Sequence, residues 1–264
     1  MKFAIAVTSV SMLFLTISCE TSQEVAPKTT TTTTTPIIPP IPTPTPPPTP
    51  PSGTIDSTKP SSQEIYDAFV RLALKNSSNT QTQTIRKWAS TKTKINVYWD
   101  GGQTTALFAA LDKILADMND LNKFNKLVRT EVIGDADIII NRVDIATHNA
   151  KYASYQVTNT SIQGNTFTQW NSTEIMKGVV WLSPNTPTSV QTGVLRHELT
   201  HTLGLGHIEN TKSIMVAVMN GVNYDFNNYS ILDKKVIQIL ADARVKQGMT
   251  EANISAVIKE YAAK

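Results

Sequence analysis

Apolar positions divide the chain into two unlike parts. From Phe3 to Leu15 they run almost without a break, diluted by Thr8, Ser9 and Ser11, and then no helical or alternating pattern returns until residue 60. Beyond that point, Ile65, Phe69, Leu72 and Ala73 recur at helical spacing and predict a helix over Ser61–Leu74. Ile95, Val97 and Trp99 alternate in a strand over Lys94–Trp99, and Asp100-Gly101-Gly102 turns the chain. Thr104–Phe124 is a long amphipathic helix carrying Leu107, Phe108, Leu111, Ile114, Leu115, Met118 and Leu121. Ala136–Val143 reads as a buried strand, Tyr152–Gly164 as a polar hairpin or ordered loop, and Lys177–Leu182 as another strand. A break at Ser183–Pro187 precedes a helix capped by Thr186, with Pro187 at its first position, running through Val190, Val194, Leu195 and Leu199 toward Gly204. Helices over Ser230–Lys246 and Glu251–Tyr261 complete a fold of class α+β.

Composition sharpens the division. Of 14 prolines, only Pro184 and Pro187 follow Pro60. The stretch from Lys28 to Ser52 is nearly all Thr and Pro, with too few side chains able to bury area to offset the entropy of ordering. Proline holds such a segment extended, which suits a stalk; a proline-rich peptide ligand is the weaker alternative, since orienting basic residues are missing. The apolar run behind Lys2 is too short to span a bilayer and fits a secretory signal. It ends in Leu15-Thr16-Ile17-Ser18-Cys19, which resembles a bacterial lipobox and implies cleavage before Cys19 and lipidation of its thiol. An ordinary signal peptide is the alternative. The expected organisation is a signal peptide over 1–18, a lipidated stalk over 19–59 and a working domain over 60–264. A single cysteine excludes a disulfide scaffold, and a net charge of +3 with no basic run gives no case for nucleic acid.

Residues 197–207 read HELTHTLGLGH and hold three of the four histidines. His197 and His201, four apart on a helix, project from one face and can share a metal. Glu198 lies one step round, where a carboxylate can take a proton from a metal-activated water. Gly204 stops the helix and turns the chain, so that His207 can return as a third ligand. Three imidazoles with one open position form a catalytic rather than a closed zinc site. Five fixed residues at this spacing arise by chance on the order of once per ten million positions.

HELTHTLGLGH matches the HExxHxxGxxH signature of the metzincin zinc endopeptidases and resembles the matrixin-like branch. Ser213-Ile214-Met215 supplies the methionine turn which that resemblance requires, with Met219 as the alternative. The family likeness implies a metzincin-like zincin domain: a twisted mixed sheet with long helices above a cleft, and a small helical C-terminal subdomain after Gly204. It implies one catalytic Zn2+ held by His197, His201 and His207, Glu198 as general base, and a peptide lying along an edge strand, taken as Gly178-Val179-Val180-Trp181. Ala217 stands where some members carry a tyrosine ligand, and Ile208 and Glu209 depart from the matrixin pattern. Structural Ca2+, common in that family, has no clear loop, with Asp135 and Asp137 as candidate ligands.

The expected activity is zinc-dependent endopeptidase action on extracellular or cell-envelope proteins. The alternatives are a zinc-stabilised binding lipoprotein and a zinc hydrolase of a non-protein substrate. Expected partners are a protein or peptide and, through Cys19, a membrane; the expected state is a monomer. The location expected is the bacterial cell envelope, outer membrane foremost, with shedding or secretion as the alternative. His148 reads as a surface loop residue, Trp99, Trp170 and Trp181 as core or cleft-lining, and Tyr224, Asp225 and Phe226 as bordering a pocket.

Overall fold

The structure is a computed structural model and describes residues 59–75, 82–217 and 227–264. Cys19, the signal and stalk segments, Met219, Tyr224, Asp225 and Phe226 lie outside the described residues. Among the described residues are six strands and six α-helices: α1 (Ser62–Leu74), β1 (Lys87–Trp88), β2 (Lys94–Trp99), α2 (Thr105–Leu121), β3 (Lys126–Arg129), β4 (Ile138–Asn141), α3 (Ile145–Lys151), β5 (Gly164–Asn171), β6 (Glu174–Leu182), α4 (Thr188–His201), α5 (Ile231–Leu240) and α6 (Glu251–Ala262). No described helix is long and apolar enough to cross a membrane.

Local chemistry explains where the helices begin and end. Ser61 opens α1 with a capping box: the Glu64 amide donates to Ser61 Oγ, and the Ser61 amide donates to Glu64 Oε2. Thr104 caps α2. That helix stops at Leu121, short of the expected Phe124, because Asn122 Oδ1 accepts from the Phe124 amide and turns the chain. Asn125 then ties the turn to the Ala89 and Lys92 carbonyls. The start of α4 shifts by one residue: Pro187 is the N-cap, while the Thr186 hydroxyl donates to the Gln163 carbonyl. Helix α5 ends at Leu240, well before Lys246.

The sheet is mixed and mostly parallel, in the order β1-β6-β4-β2-β3, with β5 added antiparallel to β6. Along β6, Val180 and Leu182 join the large core with α2 and α4, whereas Val179 and Trp181 face the other way. There they meet Val157 and Phe167 in a second, smaller cluster beneath α3 and the segment after it. His148 belongs to this layer. It is fully buried in α3, not a surface loop residue, with its ring nitrogens on Asn141 Oδ1 at 2.9 Å and the Tyr155 carbonyl at 2.7 Å. The helical group after α4 is also larger than the C-terminal pattern implies, because α1 packs against both α5 and α6.

The edge-strand expectation for Gly178–Trp181 is wrong. Those residues hydrogen-bond to β4 through Ile138↔Gly178 and Ile140↔Val180, and to β5 through Thr168↔Gly178 and Asn165↔Trp181, so both sides are filled. The antiparallel strand β5 takes the outer position and pairs with β6 alone among the described residues. Asp137 is also committed elsewhere: it pairs with Lys92 at 2.8 Å and accepts from the Asn96 amide.

Trp181 anchors the second cluster, and its indole donates to the Val143 carbonyl. Trp181→Ala is expected to cost about 3–5 kcal/mol and to lower the thermal midpoint by roughly 10 °C. Thermal unfolding followed by circular dichroism checks this; a shift within 2 °C would contradict the packing described.

Candidate metal centre

From Gly193 to His201 every residue of α4 is buried, although Arg196, His197, Glu198, Thr200 and His201 are polar. Buried polar groups need partners, and each of these has one. Arg196 donates to the Asn227 carbonyl, pairs with Asp117 at 2.8 Å and stacks on Tyr229. Thr200 Oγ1 lies 2.9 Å from the Tyr229 hydroxyl.

The three motif histidines converge. Their Nε2 atoms lie 3.1 Å apart for His197 and His201, 3.0 Å for His201 and His207, and 3.3 Å for His197 and His207. His197 Nδ1 sits 2.6 Å from the Ile214 carbonyl and His201 Nδ1 2.7 Å from the Leu205 carbonyl. A carbonyl can only accept, so both Nδ1 atoms carry the proton. The Nε2 atoms of both rings therefore present bare lone pairs to one another, an arrangement suited to holding a metal ion. Burial lowers all three pKa values: His197 falls to about 4, His207 to about 3 with His197 and Arg71 adding to the effect, and His201 well below its ordinary value. The site is thus neutral and ready to ligate at ordinary pH.

Glycine makes the return of His207 possible. Gly204 has φ +96°, and a Cβ there would meet the Arg86 carbonyl oxygen at 2.1 Å. Its amide bonds to the His201 carbonyl and closes the end of α4, and the Gly206 amide then bonds to the Leu72 carbonyl of α1. Beyond His207 the Ile208 amide pairs with the Met215 carbonyl, which folds Ser213–Met215 back against His197. Met215 is buried there. Asp233, buried at the start of α5, accepts from Ser213 Oγ at 2.6 Å, the Ile214 amide at 3.2 Å and Ser230 Oγ at 2.7 Å. One carboxylate thus fixes both the turn under His197 and the N-terminus of α5.

Glu198 points to β5. Thr166 Oγ1 lies 2.7 Å from Glu198 Oε2 and 2.8 Å from the Glu198 carbonyl. Gly164 passes over the carboxyl so closely that a Cβ would sit 2.7 Å from Glu198 Cγ and Oε1. Burial pushes the Glu198 carboxyl up to about 8, against the hydrogen bond from Thr166. Neither Thr166 nor Gly164 is visible in sequence reasoning: a lone threonine carries no motif, and a glycine closing a polar stretch reads as a loop.

A family model described as a protein of unknown function (DUF2927) matches residues 62–260. No curated protein matches. Among solved structures, the chain is similar to high choriolytic enzyme 1, a hatching enzyme zinc-protease from Oryzias latipes (medaka fish), at 20% identity and a TM-score of 0.27. That match covers 46% of this chain and 49% of the other, so the chain spans about half the length of the enzyme.

The histidine shifts fix a pH dependence for the metal-free protein. Each folded-state pKa lies below the ordinary 6.5, so the unfolded chain binds more protons between the two values. Their stabilisation is complete above pH 6.5 and is lost progressively as pH falls below it, down to about 4 for His197 and about 3 for His207. Glu198, raised from 4.5 to about 8, acts in the opposite sense, one proton against three. In chelator, the thermal midpoint is expected to drop as pH is lowered from 6.5 to 4; a midpoint that rises over this range would contradict the burial of neutral imidazoles.

Proposed function

The chain belongs to the family described as protein of unknown function DUF2927, and we propose that it is a zinc-dependent endopeptidase. The observation that carries this reading is the buried Nε2 triangle of His197, His201 and His207 with Glu198 beside it on the same helix. A tetrahedral zinc with Zn–N near 2.0–2.1 Å requires ligand nitrogens about 3.3 Å apart. The separations of 3.0–3.3 Å approach that value. Neutral nitrogen donors suit zinc, and no cysteine stands among the described residues to make a closed thiolate site.

When bound, zinc supplies a Lewis acid that polarises a carbonyl and makes water acidic enough to attack near neutral pH. The rest falls to the protein. The Ile214 and Leu205 carbonyls hold His197 and His201 in the Nδ1–H tautomer, leaving Nε2 free to bind. Glu198 takes the proton of the attacking water and returns it to the leaving amine. Burial alone would keep Glu198 protonated, and a dication beside it draws its pKa back down, so that it is ionised when the site is loaded. The Thr166 hydroxyl holds Oε2 and fixes the direction in which the carboxylate acts. The outer edge of β5, unpaired among the described residues, offers main-chain hydrogen bonds to an extended peptide, which an added strand would use.

In the same reading, the apolar leader, Cys19 and the Thr/Pro-rich stretch support export and lipid anchoring at the cell envelope, with the domain on a stalk. Cell-envelope or extracellular proteins are then the accessible substrates.

Glu198→Gln is expected to retain one zinc per chain and the wild-type fold, and to lower peptide hydrolysis by about 10²–10⁴-fold. Zinc content by mass spectrometry and cleavage of casein-derived peptides, with and without chelator, check it. Undiminished cleavage by the variant would remove Glu198 from the role of base.

A further inference from the structure

Alternate residues of β5 share one face, and the face that brings Thr166 onto Glu198 carries Thr168 and Trp170 into a pocket of about 420 Å³. Leu72 from α1, Lys75 at its C-cap, Arg86, and Gly204 of the histidine motif complete its walls, and no acidic residue among the described residues lines it. The Arg86 guanidinium lies 4.2 Å from the Trp170 ring centroid. It is half-buried, and it makes no hydrogen bond or ion pair with any described residue. Its desolvation holds its pKa below the usual arginine value. Lys75, the other cation, donates to the Thr82 hydroxyl and meets no carboxylate among the described residues. The sequence of residues 76–81 holds no charged residue.

The backbone under Arg86 is fixed on each side. Ile85 exchanges hydrogen bonds with Met249 and Gly248, the Arg86 carbonyl abuts Gly204, and Lys87–Trp88 pairs with Glu174–Ile175. A guanidinium stacked through its face on an indole keeps its edge N–H groups free, and that edge is the fork that fits a carboxylate. Stacking recovers only part of the desolvation cost; a carboxylate in the pocket would complete it.

We propose that Arg86, stacked on Trp170, binds a carboxylate of the peptide substrate, so that the pocket beside β5 selects an acidic side chain or the peptide's terminal carboxylate. The proposal rests on the endopeptidase reading for the position of the peptide. From Thr166 to Trp170 an extended chain advances four residues, about 13 Å. A peptide along β5 with its scissile bond at Glu198 therefore lays a residue two to four positions from the cut against Arg86.

Two measurements on the zinc-loaded full chain separate this from the reading beneath it. In the first, a peptide library carrying Asp or Asn at each position in turn, in free-acid and C-terminally amidated series, is cleaved by wild type, Arg86→Gln and Arg86→Lys. The acidic peptide is expected to exceed its Asn or amidated counterpart roughly tenfold in kcat/KM, at one distance from the cut. That ratio should collapse toward one in Arg86→Gln and fall partway in Arg86→Lys. The Asp/Asn series reports a side-chain carboxylate, and the free-acid/amide series a terminal one. No acidic preference, or the same preference in Arg86→Gln, overturns the proposal. In the second, the same peptide pairs are titrated against Glu198→Gln by tryptophan fluorescence, with and without Arg86→Gln. A roughly tenfold tighter binding of the acidic member, lost on removing Arg86, supports the pocket even if no peptide is cut, and equal binding overturns it.

Discussion

Two imidazole nitrogens whose rings have committed their protons elsewhere repel each other at 3.1 Å, and this fold holds a third beside them. That buried convergence is the constraint on which the surrounding structure depends. It needs the Ile214 and Leu205 carbonyls to fix the tautomers, a left-handed turn at Gly204 to bring His207 back, and Asp233 to hold Ser213–Met215 in place. Glycine is the only residue that fits against the Arg86 carbonyl, so the turn is tied to β1 and through it to the sheet. A cation at the centre converts mutual repulsion into shared ligation, and for that reason the arrangement reads as a metal site rather than a core.

The same helix shows what the site costs. The second half of α4 is buried with five polar side chains in nine residues, where an ordinary sheet-facing helix would place leucine and valine. Each has a specific partner, some of them distant in sequence, such as Asn227 for Arg196 and Thr166 for Glu198, although Arg196 Nε and Nη1 are buried without a hydrogen bond. A carboxyl pushed up to about 8 by burial and three imidazoles pushed down are unfavourable in a metal-free protein and become favourable beside a dication. Stability and chemistry therefore meet in one set of residues, and metal binding should contribute directly to folding.

Much of this was legible in the chain, and the parts that were not share a physical cause. The apolar periodicity of α1, α2 and α6 and the isoleucine run of β4 announce themselves because each buries a continuous stripe. The ligand motif was legible because helical spacing alone places His197 and His201 together. Strand β5 was not: one face carries Gly164, Thr166 and Thr168 against the site, and only Phe167 marks the other as apolar. Which strand forms the edge was hidden as well. Gly178-Val179-Val180-Trp181 looks like any buried strand, and only pairing with β4 and β5 reveals that both its sides are filled. His148 misled for a related reason, since its burial depends on Asn141 and Tyr155, whose approach no local pattern encodes. Nonlocal contacts with polar residues leave no period to read.

The central claim is that His197, His201 and His207 hold one zinc with an open coordination position. X-ray absorption at the zinc edge on the purified full chain tests it most directly. The account predicts one zinc per chain, with about three imidazole nitrogens near 2.0–2.1 Å and one exchangeable oxygen, all lost in His201→Ala. Absence of bound zinc, or a shell closed by a fourth protein ligand, would contradict it.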